Sequence, residues 1–299
     1  MADMFQPLNR NNPLVSVIIP NKNRTDELYR AVNSVMSQTY KVFEVLIVDD
    51  SDIVLFNSIK NKYKPCKNIK IIRGDACGDG RARIKGLKSS VGKYIVFLDS
   101  DDELNKRKLE THLIRWRNNL NLGLTWDKTV EIGDHLNKSV IPTPKFIGRG
   151  GRIVKPKTAI ALLSAGNFIH MSSGFTRRDY ALKIINKNQF TGAFDYALWL
   201  HLAVNYDSYY VNKNLTIKHS EGFERLGRNK VGLFIEYLDY LKTVLIFFNQ
   251  YNPKYKIGKT LLIRNLVVAF VISMHLSRLI PMKLRNSIRD DKKYYQNNL

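Results

Sequence analysis

An apolar run, Tyr94, Ile95, Val96, Phe97 and Leu98, leads directly into Asp99-Ser100-Asp101-Asp102. Such a run reads as a buried strand, and open α/β sheets bind ligands beyond the carboxyl ends of their strands. Asp99 and Asp101 straddle one residue, so a turn there lets both reach one divalent cation. Hard oxygen ligands suit Mn²⁺ or Mg²⁺, and such ions commonly clamp a diphosphate. The same residues also fit an Asp-rich turn before a helix, with Asp102 or Asn105 near the cap. A second acidic pair, Asp49-Asp50, follows the apolar segment Phe43 to Val48. Two arginines, Arg81 and Arg83, open a helical stretch, and a lone carboxylate, Asp195, begins another.

The elements that must position these groups alternate along the first third of the chain. Val15 to Ile19 is a strand that Pro20 is expected to stop. Thr25 to Gln38 has helical spacing, with Leu28, Ala31, Val32, Val35 and Met36 on one face. Thr25 suits the N-cap, with Asp26 and Glu27 in the first turn. Further strands are expected at 43–48, 69–72 and 93–98, and a helix at 81–90. This alternation predicts a parallel, doubly wound sheet. Residues 121–157 read as strand-like and loop-rich, 158–165 as a short helix, 171–176 as a strand and 195–204 as a helix. From Asn229 onward the pattern is helical.

Composition narrows the classes. The chain of 299 residues is 44% hydrophobic, enough for a large core. Its net charge of +22 calls for an acidic partner: nucleic acid, an anionic membrane or a phosphorylated substrate. Two cysteines, Cys66 and Cys77, exclude a disulfide scaffold and fit a reducing cytosol. The N-terminus lacks the apolar core of a signal peptide. The most apolar stretch, Leu261 to Leu276, is interrupted by Arg264, Asn265, Ser273 and His275, so the chain reads as non-spanning. From Lys213 to Leu299 there are sixteen Lys/Arg against six Asp/Glu. An apolar helix with basic flanks there suits an anionic lipid surface, and equally suits a helical subdomain packed on the core.

Four motifs occur in order: Val15–Pro20-Asn21-Lys22-Asn23-Arg24; Glu44–Asp49-Asp50-Ser51; Gly80-Arg81-Ala82-Arg83; and Asp99-Ser100-Asp101. Together, over residues 14 to 220, they resemble the family 2 nucleotide-sugar glycosyltransferases with the GT-A fold, which build bacterial surface polysaccharides. The resemblance implies an α/β, Rossmann-like, mainly parallel sheet flanked by helices, with a C-terminal helical extension. It implies a nucleotide-sugar donor, expected to be a UDP-sugar, held by Pro20, Asn21, Asn23, Arg24, Asp50, Arg83, Asp99, Ser100 and Arg228. The Asp50 carboxylate would accept the uracil N3–H, and Arg83 would lie near the diphosphate, where a cation and helix N-terminal amides favour phosphate. Asp99 and Asp101 would hold Mn²⁺ or Mg²⁺. Inverting transfer needs a base for the acceptor hydroxyl. In the family an Asp after a Glu, at a helix start, plays that part; here it is Asp195, with Phe194 in place of the Glu. The stretch His170 to Phe175 matches the region lining the acceptor pocket. His219 to Arg228 reads as a loop whose Arg225 or Arg228 closes over the diphosphate.

The expected organisation is an N-terminal extension (1–13), a donor-binding half (14–104), an acceptor-binding half (105–228) and a basic helical region (229–299). The acceptor is expected to be a glycan, lipid-linked at the inner face of a bacterial membrane, making the protein cytoplasmic and peripheral. Two rivals remain: a nucleic-acid-binding basic protein, and an inactive glycosyltransferase-like scaffold. The first is disfavoured because the acidic clusters at 49–50 and 99–102 would repel phosphate without a metal. A dinucleotide fingerprint at Gly78-Asp79-Gly80 fails, since Arg83 stands where the third glycine belongs.

Overall fold

The computed structural model describes residues 13–219, apart from 118, 120, 134–135, 141–150, 152, 157, 159–166 and 188–193. Arg225, Arg228, the basic region from 229, nearly all of the N-terminal extension and most of the helix expected at 158–165 lie outside the described residues. In the described residues one mixed sheet carries the fold. Its parallel part is β3 (Ile69–Arg73), β2 (Phe43–Asp49), β1 (Val15–Asn21) and β4 (Tyr94–Phe97), in that order. The sheet continues through β9 (Gly174–Arg177), antiparallel to β4 and to β6 (Leu122–Gly133). Then come β10 (Asp207–His219), parallel to β6, and β5 (Asp102–Leu104), antiparallel to β10. Two short strands, β7 (Leu136–Val140) and β8 (Ile153–Val154), pair with β6 and β10.

Helices cover both faces. Successive side chains on a strand point to opposite faces. Val15, Val17 and Ile19 therefore join one core with Leu28, Ala31, Val32 and Val35 of α1 (Asp26–Met36), Ile59 of α2 (Ile53–Tyr63) and Leu109 of α4 (Lys108–Arg117). Ile18, Leu46 and Phe97 join the other core with Leu87 of α3 (Asp79–Ser89), Ala181 of α5 (Arg178–Lys187) and Trp199 of α6 (Phe194–Asn205). The expected α/β architecture is observed.

Several expectations need correction. β1 runs through Pro20 to Asn21. Leu98 donates its amide to the Ile18 carbonyl and Asp50 donates to that of Asn21, so Pro20 faces the β4 side, beyond the last β4 pairing at Ile18↔Phe97. Its missing N–H therefore costs no ladder bond. Thr25 occupies the N-cap of α1 without a side-chain hydrogen bond, and Met36 is 37% exposed rather than part of the buried face. After Asp101 the chain forms β5 before any helix. Asn105 then serves the start of α4, its Oδ1 accepting from the Arg107 amide at 3.1 Å. The strand expected at 171–176 is a 3-10 turn, Met171–Ser173, followed by β9. The helices α2 and α5 and the strand β10 were not expected: α2 and β10 lack a clean apolar period, whereas α5 buries Ala181, Ile184 and Ile185 at helical spacing.

Candidate active site

The carboxyl ends of β1, β2 and β4 lie side by side, and the expected donor-binding residues follow them. Asp49 is fully buried and organises the turn: its Oδ1 accepts from Asn21 Nδ2 at 2.9 Å and from Ser51 Oγ at 2.6 Å. Asn21 Nδ2 also reaches the Arg24 carbonyl at 3.1 Å. Asn23, at φ +55°, donates its amide to Ser51 Oγ at 2.8 Å. Asn tolerates this left-handed conformation better than most residues. Asn21 and the Asn23 amide thus tie the loop after β1 to the loop after β2. Asp50 faces the loop after β3. Its Oδ1 accepts from the Ala76 amide at 2.8 Å, and a Cβ at Gly74 would fall 1.9 Å from that oxygen, so any side chain there would displace the Asp50 carboxylate.

Helix α3 begins at Gly78, whose φ of +91° suits glycine. One turn later Arg83 is almost fully buried. It donates to Asp79 Oδ2 and to Asp99 Oδ1, each at 2.7 Å. Arg81 is exposed. Burial alone would raise the Asp99 carboxyl; Arg83, His170 and Arg24 outweigh it and hold Asp99 below the ordinary carboxylate range. Arg24 donates to Ser100 Oγ at 3.3 Å and lies 3.1 Å from Asp101 Oδ2.

The structure brings a further pair to this edge. Asp102 is buried beside Asp99, and Ser172 of the 3-10 turn links them: the Asp99 amide donates to Ser172 Oγ at 3.0 Å, and that hydroxyl donates to Asp102 Oδ2 at 2.5 Å. His170 Nδ1 sits 3.5 Å from Asp102 Oδ2, and His170 Nε2 sits 4.0 Å from Asp99 Oδ2. One ligand atom each from Asp99, Asp102 and His170 fall within 4.8 Å of one another. His170 Nδ1 is buried with no hydrogen-bond partner among the described residues. Burial, then repulsion from Asp99 and Asp101, raises the Asp102 carboxyl well above its usual range. Burial also lowers His170 to about 4, so the imidazole is neutral and free to ligate. Two carboxylates and a neutral imidazole with an orphaned nitrogen fit a divalent cation. Asp99 is common to this group and to the expected ligand pair, whereas Asp101 pairs with Arg24. Asp102 carried a signal only as the fourth member of an acidic run, and His170 carried none pointing here.

Asp195 approaches from the first turn of α6. Its Oδ1 accepts from the Tyr196 amide at 2.7 Å and its Oδ2 from Asn167 Nδ2 at 2.8 Å. Burial raises its carboxyl above the usual range, opposed by the Tyr196 amide and by the charge of Arg83. That influence places Asp195 within electrostatic reach of Arg83 and Asp99. Phe194 meets Phe97 edge-on at 5.5 Å, and a Cβ on Gly80 would stand 3.4 Å from the Phe194 Cβ. Phe194 thus pins the start of α6 to β4 and α3. His219 lies on β10 and meets Glu103 Oε1 at 2.6 Å, away from the Asp99 group.

A buried polar network supports the floor. Lys108 of α4 binds Asp127, the Ser173 carbonyl at 3.1 Å and Thr216 Oγ1 at 2.9 Å. His112 adds Nε2 to Asp127 Oδ2 at 3.0 Å and Nδ1 to Thr125 Oγ1 at 2.7 Å. The network fixes the 3-10 turn that presents Ser172. No short motif announces it, because its members lie as far as 108 residues apart.

The sheet edge, the arginine-backed acidic cluster and the carboxylate at the start of α6 together form the candidate site. Residues 16–166 match the model of glycosyl transferase family 2, and the chain belongs to that family. It is similar to the Escherichia coli enzyme described as UDP-Glc:alpha-D-GlcNAc-diphosphoundecaprenol beta-1,3-glucosyltransferase WfaP, 45% identical over 89 residues, 30% of this chain and 36% of that protein. It is 42% identical over 103 residues to an uncharacterised glycosyltransferase of Rickettsia conorii, 34% of this chain and 17% of that protein. The Staphylococcus aureus poly(ribitol-phosphate) beta-N-acetylglucosaminyltransferase TarP is 40% identical over 101 residues, 32% and 31% of the two chains. This chain thus spans less than half the length of each of these relatives. In fold it is similar to the crystal structure of S. aureus TarS 1–349 in complex with UDP-GlcNAc, with a TM-score of 0.59, 18% identity and coverage of 94% of this chain and 89% of that one. The fold is therefore GT-A. No helix among the described residues is long and apolar enough to cross a membrane.

Proposed function

We propose that this protein is a metal-dependent inverting glycosyltransferase that moves a hexosyl or N-acetylhexosaminyl group from a UDP-sugar to a hydroxyl of a glycan acceptor. The convergence of Asp50, Arg83, Asp99, Asp102, His170 and Asp195 on one sheet edge carries this reading. Asp50 keeps one carboxylate oxygen on the Ala76 amide and offers the other to a base N–H such as uracil N3–H. Arg24 and Arg83 supply positive charge beside the diphosphate, and the first amides of α3 add theirs. Asp99, with Asp102 and His170 or with Asp101, would hold Mn²⁺ or Mg²⁺, which when bound offsets charge on the leaving diphosphate as a Lewis acid.

Asp195 takes the proton from the acceptor hydroxyl as it attacks the anomeric carbon. A carboxyl raised by burial is a stronger base than an exposed one, which suits this task. The acceptor reading rests on the relatives: WfaP is described by a diphosphoundecaprenol-linked acceptor, and TarP by a poly(ribitol-phosphate) one. A lipid-linked glycan in surface-polysaccharide synthesis is the acceptor class proposed here, with the protein peripheral on the inner membrane face. Arg228 and the basic region beyond 229 complete the proposal as a diphosphate contact and a membrane contact.

The test is UDP release from a panel of UDP-sugars with Mn²⁺ or Mg²⁺, with and without EDTA. Turnover of one sugar that EDTA abolishes supports the reading. Absence of UDP-sugar binding, together with salt-sensitive DNA binding, would overturn it.

A further inference from the structure

We infer that the outer face of α2 and the edge strand β3 is a docking surface for an anionic lipid bilayer, separate from the basic C-terminal region. The chain from Ile53 to Arg73 contains six cations, Lys60, Lys62, Lys64, Lys67, Lys70 and Arg73, and no Asp or Glu. Among the described residues β3 is the outermost strand and pairs with β2 alone. Two of the cations are committed: Lys62 sits 3.1 Å over the Tyr29 ring, and Arg73 donates to the Ser51 carbonyl and lies over Phe56. Lys60, Lys64 and Lys67 are exposed and make no ion pair among the described residues, whereas Lys70 projects from β3 on the sheet face opposite α2, beside Leu46.

The other half of the surface is apolar. Helix α2 buries Phe56, Ile59 and Tyr63 and leaves Ile53 61% and Val54 78% exposed. First turns favour acidic residues, because the helix dipole is positive there. Here the first turn holds Ile, Val and Leu, and Asp52 alone caps it, accepting from the Val54 and Leu55 amides at 2.9 Å each. Single exposed aliphatics need no explanation. A β-branched pair at one end of a helix whose other end and following strand carry only positive charge is the composition of an interfacial segment. Anionic headgroups would take the lysines and the acyl boundary the aliphatic pair. A soluble polyanion such as nucleic acid uses the lysines and leaves Ile53 and Val54 in water, so the bilayer is favoured. The pair follows Asp50 by three and four residues, so docking brings the donor edge of the sheet toward the lipid surface. The inference does not require the protein to be a transferase.

The experiment places a polarity-sensitive fluorophore on Val54→Cys in the full chain, with Cys66→Ala and Cys77→Ser removing the native thiols. Vesicles of phosphatidylglycerol and phosphatidylcholine are expected to shift the emission to the blue; pure phosphatidylcholine vesicles and duplex DNA are not. Each lysine near an anionic surface is worth on the order of fivefold in partitioning. Lys60→Gln/Lys64→Gln/Lys67→Gln is therefore expected to lower partitioning of the probe site by roughly a hundredfold, with UDP release from a soluble donor unchanged. No blue shift on anionic vesicles, an equal shift on DNA, or a shift that survives the triple substitution would overturn the inference. A transferase assay that fails while the probe inserts would refute the enzymatic reading alone.

Discussion

Replacing Asp195 by Asn tests the proposed base with little change of shape. The carboxylate holds two hydrogen bonds, from the Tyr196 amide at 2.7 Å and from Asn167 Nδ2 at 2.8 Å. Asn keeps the first through its carbonyl and turns its NH₂ toward the Asn167 donor, losing the second. One lost hydrogen bond costs about 1 kcal/mol. Against it stands the removal of a charge that burial disfavours. The sign follows from linkage. The folded pKa lies above the ordinary 3.8, so the folded state binds the proton more tightly, and stability falls as pH rises from 3.8 through that raised value. Asn is never ionised and escapes that loss at neutral pH. The two effects oppose each other, and Tm is expected to stay within about 4 °C, since 1 kcal/mol moves a domain of this size by roughly 2–4 °C. Turnover behaves differently. General-base catalysis contributes about 10²–10⁴-fold, or about 3–5.5 kcal/mol of barrier. The assay is UDP release with donor and acceptor, beside a thermal melt. The parent enzyme is expected to lose activity with falling pH through a limb placed above 3.8. An Asn variant that folds and keeps more than a tenth of kcat would refute the assignment.

Four further outcomes follow from the geometry. Mn²⁺ at a hundred times its Kd should stabilise the protein by about 2.7 kcal/mol, and Asp102→Asn or His170→Ala should abolish that gain; equal stabilisation of both variants in a melt would exclude those ligands. Because burial and the charges of Asp99 and Asp101 raise Asp102, its ionisation lowers stability as pH climbs above 3.8, so Asp102→Asn without metal should melt higher than the parent at pH 7.5. Phe194→Glu, which restores the family's residue, removes the ring from Phe97 and buries a charge; a loss of about 3–5 kcal/mol in denaturant unfolding is expected, and a fully stable variant would show that Phe194 is not a packing residue. Lys108→Met leaves the buried Asp127 without its ammonium partner and should cost about 3–5 kcal/mol, with Lys108→Met/Asp127→Asn recovering part of it; no recovery in the double variant would refute the coupling.

Much of the donor edge was legible in the sequence, because the signals there are local. β1, β2 and β4 are buried on both faces and so read as nearly unbroken apolar runs. Each ends at or just before a polar residue of the candidate site, Asn21, Asp50 or Asp99. Arg83 was legible as a helix-start cation between two acidic motifs. The helix α2 was not, because Ile53 and Val54 face outward and break the apolar period. β5 has only three residues, too few for a period, and its Asp102 passed for a cap.

The sequence by itself determined which segments are buried and which chemical groups stand at their ends, since burial periodicity and strand termini are properties of neighbours along the chain. Only the tertiary structure decided which groups meet. Arg24 reaches Ser100 across 76 residues, Ser172 reaches Asp102 across 70, and Lys108 reaches Thr216 across 108. The first follows from laying β4 beside β1, the second from inserting antiparallel β9 between β4 and β6, and the third from laying β10 beside β5. A hydrophobic pattern states that a strand has two covered faces; it carries no record of which strand lies beside it.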